Sequence, residues 1–347
     1  MCSTKTVKNF IVIGTGAIGN YIGGRLAATG VTVHFVGRNH SIRALTDAGL
    51  RLTDLDGFDA LVPAKSLHLH ESLADIGSDV LIHGTAAPIV LVCVKSGGTE
   101  AVACDIELYC RPGSTVVSLQ NGVENVARLK VNAPSMRVLA GMVPYNVMLQ
   151  SASHAHRATT GTLFIEQHPA SLAFFDDFLA AGLAIELHQN MQEVQWGKLL
   201  LNLNNPINAL SNLPLKAQLE DHNYRRALAE LQVEAMEILA LAGIKPAKVG
   251  KVAPRLLPKL LCMPNWLFTR VAGSMLKMDT KARSSMWVDL QAGRPTEIDD
   301  LCGAVTQLAR KFGTIAPKNA RMVDLVRGHQ PGQTWPGDKL LKALVEA

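Results

Sequence analysis

The chain has 347 residues, of which 48% are hydrophobic, 18% charged and 5% aromatic. This composition excludes a disordered or collagen-like chain, and the length favours two domains because single cores stop growing near ~250–300 residues. No run of about 18 apolar residues lacks charges or breakers, which argues against a transmembrane helix and a membrane partner. The N-terminus shows no cleavage pattern of a signal peptide, so we expect a cytoplasmic protein.

The formal net charge is +5, but the 34 Lys and Arg residues are scattered among 29 acidic residues. Because the chain has no basic block, nucleic acid is not an expected partner, whereas a small anionic ligand is favoured. The six cysteines form no C-x-x-C pair and have no zinc spacing, so we interpret them as reduced thiols. His68 and His70 alternate as metal ligands do, but no third ligand follows at a recognisable spacing. We therefore predict a surface β segment there and no metal site.

Short apolar runs alternate with helical patterns in the first half of the chain. This alternation predicts a parallel sheet covered on both faces by helices, within an α/β fold. Residues 55–88 indicate only irregular β structure. The predicted strands are 7–13, 31–36, 89–94, 114–119, 137–141 and 184–187, with a short β segment from about 147, and the predicted helices are 17–29, 99–109, 123–130 and 171–181.

The pattern changes after residue 188. From residue 191 onward the periodicity is helical, and glycine and proline residues interrupt it between the predicted helices. We therefore predict an α/β domain over 1–189 and an all-helical domain over 190–347. The latter contains a hydrophobic segment, 254–277, and we interpret its Leu- and Met-rich helices as core or as the face of a homodimer.

A glycine motif, G-x-G-x-x-G, follows the first predicted strand. The first glycine permits a tight turn, the second lets the backbone approach a pyrophosphate, and the third lets helix and strand pack closely. The N–H groups at the helix start then face the phosphates. Strand, helix and second strand fall where a βαβ unit needs them, so we predict a Rossmann-type domain; the alternative is an ordinary glycine-rich turn. The predicted cofactor contacts are Gly14, Thr15, Gly16, Ala17, Ile18 and Gly19.

The end of the second strand indicates which dinucleotide binds. Sites for NAD place an acid there to bind the ribose 2′-hydroxyl, whereas sites for NADP use arginine beside the 2′-phosphate. This chain has Arg38 and no acid at that point. A guanidinium matches a phosphate in geometry and charge, so we predict NADP(H). The alternative is that Arg38 is a solvated surface cation.

Polar residues in apolar surroundings recur further along the chain. Lys95 and Asn121 follow two predicted strands, and the carboxyl ends of strands line the ligand crevice of a doubly wound sheet. Lys198 and Asn202 are four residues apart and share a helix face, in an apolar setting of the kind that lowers the pKa of a lysine. The remaining motifs are V-K at 94–95, Q-N-G at 120–122, W-x-K-L-x-x-N at 196–202, S-S-M-x-x-D at 284–289, T-E-I-D at 296–299 and G-T-I-A-P-K-N at 313–319.

Taken together and in this order, these motifs resemble the 2-dehydropantoate 2-reductase (ketopantoate reductase) family over nearly the whole chain. The resemblance implies an N-terminal Rossmann domain, a helical C-terminal domain and NADPH-dependent reduction of 2-dehydropantoate to (R)-pantoate in pantothenate biosynthesis. It also implies roles for single residues. Lys198 matches the general acid and Glu297 a carboxylate beside both the cofactor and that lysine. Asn202 and Ser285 match substrate-binding positions.

Other positions match less uniformly. Lys95 and Asn121 match positions near the nicotinamide end of NADPH, where Asn121 also reaches the substrate. Asn205, which precedes a proline as the family's second substrate asparagine does, stands one residue nearer Asn202 than the family pattern. A further asparagine of the family is replaced by Leu215. These departures leave the reaction type intact and the exact 2-oxo acid open.

The chemistry is consistent with these residues. Hydride delivery to a ketone builds negative charge on its oxygen, which an ammonium stabilises and then protonates. Structural roles remain the alternative. Lys198 would then be a solvated helix lysine, and Asn202 and Asn205 would cap or break a helix. Ser285 would be the N-cap of a helix that begins at Met286, and Glu297 would lie in the first turn of a helix. Two other functions also remain open. One is reduction of another bulky 2-oxo acid, and the other is non-catalytic regulation through bound NADP(H).

Overall fold

The computed structural model describes residues 8–84, 86–250, 252–273 and 282–347. The chain divides into two compact units, which meet in sequence between Met191 and Gln192. Over the described ranges no helix combines the length and the apolar character that crossing a membrane requires.

The first unit is an α/β structure. Its strands are β1 Asn9–Ile13, β2 Thr32–Val36, β3 Leu50–Asp54, β4 Asp59–Val62, β5 His68–His70, β6 Ile89–Val92, β7 Thr115–Ser118, β8 Arg137–Met142, β9 Val147–Ser151, β10 His154–Arg157, β11 Leu163–Glu166 and β12 Ile185–His188. Its helices are α1 Ala17–Ala27, α2 Asn39–Ala48, α3 Ser78–Leu81, α4 Thr99–Tyr109, α5 Asn125–Asn132 and α6 Pro169–Ala180, with 3-10 turns at Ala64–Ser66, Leu73–Asp75 and Ser96–Gly98.

Eight strands form the main sheet in the order β12-β11-β8-β7-β6-β1-β2-β5. From β8 to β5 neighbouring strands run parallel. Because successive side chains point to opposite faces, the all-apolar strands supply two cores at once. Phe10 and Val12 of β1 pack into the core on one face, and Ile11 and Ile13 into the core on the other. The predicted α/β fold class with a doubly covered sheet is confirmed.

Two parts of the first unit differ from the predicted pattern. The strand β11 runs antiparallel to β8, and a separate four-stranded sheet has the order β4-β3-β10-β9. Residues 55–88, predicted as irregular β structure, contain β4 and β5 but also two 3-10 turns and the helix α3. The prediction for residues 55–88 was incomplete because short strands with exposed side chains, such as β5, lack the apolar alternation that marks a strand in sequence.

A buried ion cluster fastens α1 to the four-stranded sheet. The Asp54 carboxylate at the end of β3 accepts hydrogen bonds from Arg25 of α1 at 3.3 Å and from Arg157 of β10 at 3.0 Å. The Tyr21 hydroxyl of α1 donates to the same carboxylate oxygen at 3.3 Å. The Asp54 side chain is only 3% exposed. This cluster therefore holds the helix that follows the glycine motif.

The second unit is helical throughout its described residues, as predicted for the C-terminal half. The longest helix, α10, is tied to α7 by Gln232, whose Nε2 donates to the Leu200 carbonyl at 3.0 Å. Its helices are α7 Met191–Asn202, α8 Asn204–Ser211, α9 Leu215–Glu220, α10 His222–Leu241, α11 Leu257–Leu261, α12 Asn265–Val271, α13 Ser285–Gln291, α14 Cys302–Lys311, α15 Pro317–Arg327 and α16 Gly337–Val345, with 3-10 turns at Pro254–Leu256 and Ile298–Asp300.

The hydrophobic segment 254–277 is described as far as residue 273, and residues 274–277 lie outside the described ranges. Arg225 of α10 is fully buried and anchors this segment. Its guanidinium donates to the carbonyls of Leu261 and Met263 and to the side chain of Asn265, and it lies 4.2 Å from the centre of the Phe268 ring. The segment therefore contributes to the core of the second unit, while Trp266 and Val271 remain exposed.

Candidate active site

The glycine motif forms the turn between β1 and α1. Gly14 has φ +108°, and a Cβ there would lie 2.8 Å from the backbone of Cys93. A Cβ on Gly19 would lie 2.0 Å from the Gly14 carbonyl oxygen, so the third glycine allows the helix to pack against the turn. A Cβ on Gly16, the exposed N-cap residue of α1, would have no atom within 4 Å. Two glycines are thus required by close packing, and the third leaves open space at a helix N-terminus.

This open space fits a dinucleotide pyrophosphate. The first N–H groups of a helix have no partner within the helix and favour an anion. Ala17 and Ile18 begin α1, and both are half-buried. Thr15 is buried and fills the space beside Gly37, where a Cβ would lie 2.0 Å from its hydroxyl oxygen. The turn after β1 is therefore seated directly against the turn after β2.

Arg38 and a carboxylate both lie at the end of β2. Arg38 is the exposed N-cap residue of α2, with extended backbone. The neighbouring strand β5 brings Glu71 alongside, where its Oε1 accepts a hydrogen bond from Asn39 Nδ2 at 2.5 Å. The sequence after β2 contains no acid, as noted above, but the sheet brings the carboxylate of Glu71 to this point from β5. Local sequence could not reveal it, because only the pairing of β5 with β2 places Glu71 there.

Lys95 and Asn121 are held by a buried polar network at the carboxyl ends of β6 and β7. Both side chains are exposed, and Lys95 follows β6, which ends at Val92 rather than at the predicted residue 94. The Gln120 Nε2 donates to the Val94 carbonyl at 3.0 Å and to the Thr99 hydroxyl at 2.7 Å. The network thus joins the loop that carries Lys95 to the one that carries Asn121.

Asn125 completes this network. Its Nδ2 donates to the Asn121 carbonyl at 2.6 Å and to the Ser96 hydroxyl at 3.0 Å, and its Oδ1 accepts from Thr99 at 2.8 Å. The Q-N-G motif includes Gln120 but assigned it no role, and no sequence motif included Asn125. In the sequence, the only indication was that both are amide side chains close to predicted buried strands. That feature does not distinguish a residue that positions a binding site from one that caps a helix.

Asn125→Ala should weaken dinucleotide binding by about tenfold, because three hydrogen bonds, two of them buried, that fix the Lys95 and Asn121 loops are lost. Titration calorimetry with NADPH measures this. Asn132→Ala is the control: Asn132 lies on the same helix, and its Nδ2 donates to the carbonyl of Arg128 within that helix. Equal losses of affinity in the two variants would contradict a positioning role for Asn125.

Lys198 lies on α7 and is half-buried. Burial lowers the pKa of Lys198 from 10.5 to about 8. This pKa is close to neutral pH, the condition under which a general acid transfers its proton most efficiently. Asn202, also half-buried, follows one turn later and ends the helix. The preceding Gly197 is required, because a Cβ there would lie 2.2 Å from the Ala247 carbonyl oxygen.

The start of α13 is docked on α8. The Ser284 hydroxyl donates to the Asn205 carbonyl at 3.2 Å, and the Ser284 N–H donates to Asn208 Oδ1 at 2.9 Å. Ser284 also caps α13, since its oxygen accepts from the Trp287 N–H at 3.1 Å. The structural alternative for Ser285, the N-cap of this helix, is therefore wrong: Ser285 is the first helical residue, and its side chain is exposed. The half-buried Asn205 follows the break between α7 and α8.

Glu297 and the last motif occupy different settings in the second unit. Glu297 is half-buried and is the N-cap residue of a 3-10 turn rather than part of the first turn of a helix.

Asn319, in the motif at 313–319, is fully buried. Its N–H and Nδ2 both donate to Glu234 Oε2 at 2.8 Å, so this motif fixes the start of α15 to α10.

His68 and His70 lie on β5, as the predicted β segment requires. Their rings stack beside that of His34, with centroids 4.8 and 5.2 Å away. Burial, with the charges of the two neighbouring histidines, lowers the pKa of His34 to about 4. Within the part of the chain that the structure describes, no group of three or more His, Cys, Asp or Glu side chains could hold a metal ion.

Comparison with known proteins matches both halves of the chain to one family. The family described as ketopantoate reductase PanE/ApbA matches residues 10–170, and its C-terminal region matches residues 190–330. The 2-dehydropantoate 2-reductase of Archaeoglobus fulgidus is 25% identical over 335 residues, which cover 94% of this chain and 99% of the relative. The crystal structure of a PanE/ApbA family ketopantoate reductase from Ralstonia eutropha JMP134 has a TM-score of 0.75 at 27% identity, covering 92% of this chain and 97% of that one.

A further neighbour shares the fold alone. The ternary structure of D-mandelate dehydrogenase with NADH and anilino(oxo)acetate has a TM-score of 0.73 at 16% identity, covering 97% of this chain and 99% of that one. The fold and the family matches together define the class, an oxidoreductase with a Rossmann-type first unit and a helical second unit. Because the two family regions span most of the sequence, the chain belongs to the ketopantoate reductase PanE/ApbA family.

Proposed function

We propose that the protein reduces 2-dehydropantoate to (R)-pantoate with NADPH, as a step of pantothenate biosynthesis. The observation that carries this proposal is the half-buried Lys198, whose pKa burial lowers to about 8, on the same helix face as Asn202. Membership of the ketopantoate reductase family supports the substrate class. In this proposal residues 1–189 bind NADP(H) and residues 190–347 carry the substrate site.

The first unit would hold the cofactor. The turn from Gly14 to Gly19 would receive the pyrophosphate, and Arg38 would pair with the 2′-phosphate. Lys95 and Asn121 would lie toward the nicotinamide end, where Asn121 also meets the substrate. When bound, the nicotinamide ring supplies the hydride for the 2-keto carbon.

Lys198 would act as the general acid. Its ammonium stabilises the negative charge that develops on the carbonyl oxygen and then donates a proton to it. Since its pKa is about 8, most of the lysine is protonated at neutral pH. The half-buried Glu297 would orient this amine and contact the cofactor. Asn202, Asn205 and Ser285 would donate hydrogen bonds to the substrate carboxylate and hydroxyl without adding competing negative charge.

The test of the substrate is NADPH oxidation with 2-dehydropantoate and with the analogue that lacks its hydroxyl group. A site built around that hydroxyl rejects the analogue by a large factor, on the order of 10⁴ in kcat/KM. Equal or better kinetics with another bulky 2-oxo acid would instead indicate the alternative reductase of the same scaffold. Binding of NADPH without turnover of any 2-oxo acid would indicate a regulator.

Gly16→Ala should weaken NADPH binding by about tenfold or more, equivalent to at least about 1.4 kcal/mol, and leave thermal stability unchanged. The added Cβ meets no protein atom within 4 Å, so it disturbs only a ligand that approaches the backbone there. Gly77→Ala is the matched control, because Gly77 is also exposed, has negative φ and has no atom within 4 Å. Unchanged affinity in the Gly16 variant would rule out a pyrophosphate at this turn.

We also propose that the protein acts as a homodimer in the cytoplasm. The exposed apolar side chains of Leu256, Trp266 and Val271 support a homodimer face on the segment 254–273. The described cysteines are free thiols, which supports a reducing compartment. They are Cys93, Cys104, Cys110, Cys262 and Cys302.

A further inference from the structure

We propose that Glu71 is a specificity-determining residue of the dinucleotide site, and that its carboxylate limits the preference of the protein for NADPH over NADH. This inference rests on the proposed binding of a nicotinamide dinucleotide at the glycine turn, and it adds a residue that faces the adenosine ribose. It predicts that the protein also binds NADH measurably, because the site combines an arginine with an acid.

The sheet places Glu71 at this position. The strand β5 pairs with β2 in parallel register, with His70 opposite Val36. The Gly37 N–H then donates to the His70 carbonyl at 3.0 Å. Glu71 therefore emerges from the sheet beside the residues that follow β2, at the point where a Rossmann site meets the ribose 2′-hydroxyl or 2′-phosphate.

The Glu71 side chain is aimed back at the β2 turn. Its Oε1 accepts from Asn39 Nδ2 at 2.5 Å, and Asn39 directly follows Arg38. The other acid of this loop, Asp75, is hydrogen-bonded within the loop: its Oδ2 accepts from the N–H and the hydroxyl of Ser72. Glu71 is thus the carboxylate of this loop that is directed at the predicted ribose site.

The chemistry of a carboxylate at this position favours NADH. A carboxylate only accepts hydrogen bonds, so it binds a ribose hydroxyl, which can donate, and repels the charged 2′-phosphate. Arg38 acts in the opposite sense. Both Asn39 and Glu71 are exposed, and an exposed polar pair contributes little to folding stability. A change at Glu71 should therefore alter ligand preference rather than the fold.

The test is the ratio of two dissociation constants, Kd for NADH over Kd for NADPH, measured by titration calorimetry on the full chain. Glu71→Gln removes the charge and keeps an oxygen that accepts from Asn39. It should tighten NADPH binding and raise the ratio by about tenfold, equivalent to about 1.4 kcal/mol, because it removes the repulsion between one adjacent negative charge and the phosphate. Asp47→Asn is the control, because it makes the same charge change at the far end of α2, about 12 Å along the helix.

The outcomes separate the two proposals. A tenfold rise confined to Glu71→Gln supports the inference. A ratio within about twofold of the unaltered protein, or the same rise in Asp47→Asn, overturns it and leaves the proposed reductase intact. Tight dinucleotide binding without reduction of any 2-oxo acid overturns the proposed reaction and leaves the inference on Glu71 standing. Failure of the unaltered protein to bind either dinucleotide overturns both.

Discussion

Lys198→Ala should lower the turnover number by about 10²–10⁴-fold with 2-dehydropantoate, while the dissociation constant for NADPH stays within about twofold of its original value. The reason is that an acid correctly placed for proton transfer contributes a rate factor of this size, whereas the dinucleotide is proposed to bind to the first unit. Stopped-flow or steady-state NADPH oxidation gives the turnover number, and calorimetry gives the affinity. Lys339→Ala serves as the control, since Lys339 is an exposed lysine on α16 of the same unit.

The same lysine should define the alkaline side of the pH profile. Burial lowers the pKa of Lys198 to about 8, and the proposed mechanism requires the protonated form. The rate of reduction should therefore be constant at neutral pH and fall as the pH rises through about 8, rather than above 10 as for an exposed lysine. Full activity of Lys198→Ala, or a rate that stays constant to pH 10, would exclude Lys198 as the general acid.

The parts of the site that follow from local spacing were predictable from the sequence. The glycine motif specifies its own turn, because Gly14 adopts a positive φ and Gly19, in the first turn of α1, packs against the Gly14 carbonyl. Lys198 and Asn202 share a helix face through a four-residue spacing that any helix enforces. The α/β alternation of the first half and the helical pattern of the second are also local properties, and they predicted the fold class correctly.

The parts that depend on long-range pairing were not predictable in this way. Glu71 meets Asn39 only because β5 adds to the sheet beside β2, and β5 is three residues long and contains two histidines. Gln120 and Asn125 donate hydrogen bonds to the loop that follows β6. The sequence around them has no periodic pattern from which these contacts could be predicted. Ser284 rather than Ser285 caps α13, a difference of one residue that is decided by the docking of the cap on α8.

The stability of α1, the helix that follows the glycine motif, rests on a charge that the sequence did not single out. Asp54 joins α1, β3 and β10 because its carboxylate is shared by two arginines whose side chains are only 9% and 13% exposed. Burial alone would raise the pKa of Asp54, but hydrogen bonds from the Phe58 N–H, from Arg157 and from the Asp56 N–H outweigh it, and the pKa is lowered. The ionised form is therefore the one that stabilises the folded first unit.

Asp54→Asn should destabilise the first unit by about 3–5 kcal/mol, because it removes the carboxylate that pairs with the largely buried Arg25 and leaves Arg157 with the exposed Asp56 as its acidic partner. For a unit of this size, the melting temperature should fall by roughly 6–20 °C, measured by calorimetry or circular dichroism. Asp59→Asn is the matched control in the same sheet: Asp59 pairs with Arg51 at 2.8 Å, but both side chains are 55% exposed. An exposed pair is screened by water, so we expect little change there.

The pH dependence distinguishes this charge effect from a simple packing defect. Because the pKa of Asp54 is lower in the folded state than the ordinary 3.8, its stabilising contribution is complete above that value and is lost as the pH falls through the folded value. The difference in melting temperature between the original protein and Asp54→Asn should therefore be full at pH 6 and shrink below about pH 4. A difference that stays constant down to pH 3 would show that shape, rather than the ionised carboxylate, holds α1 to the four-stranded sheet.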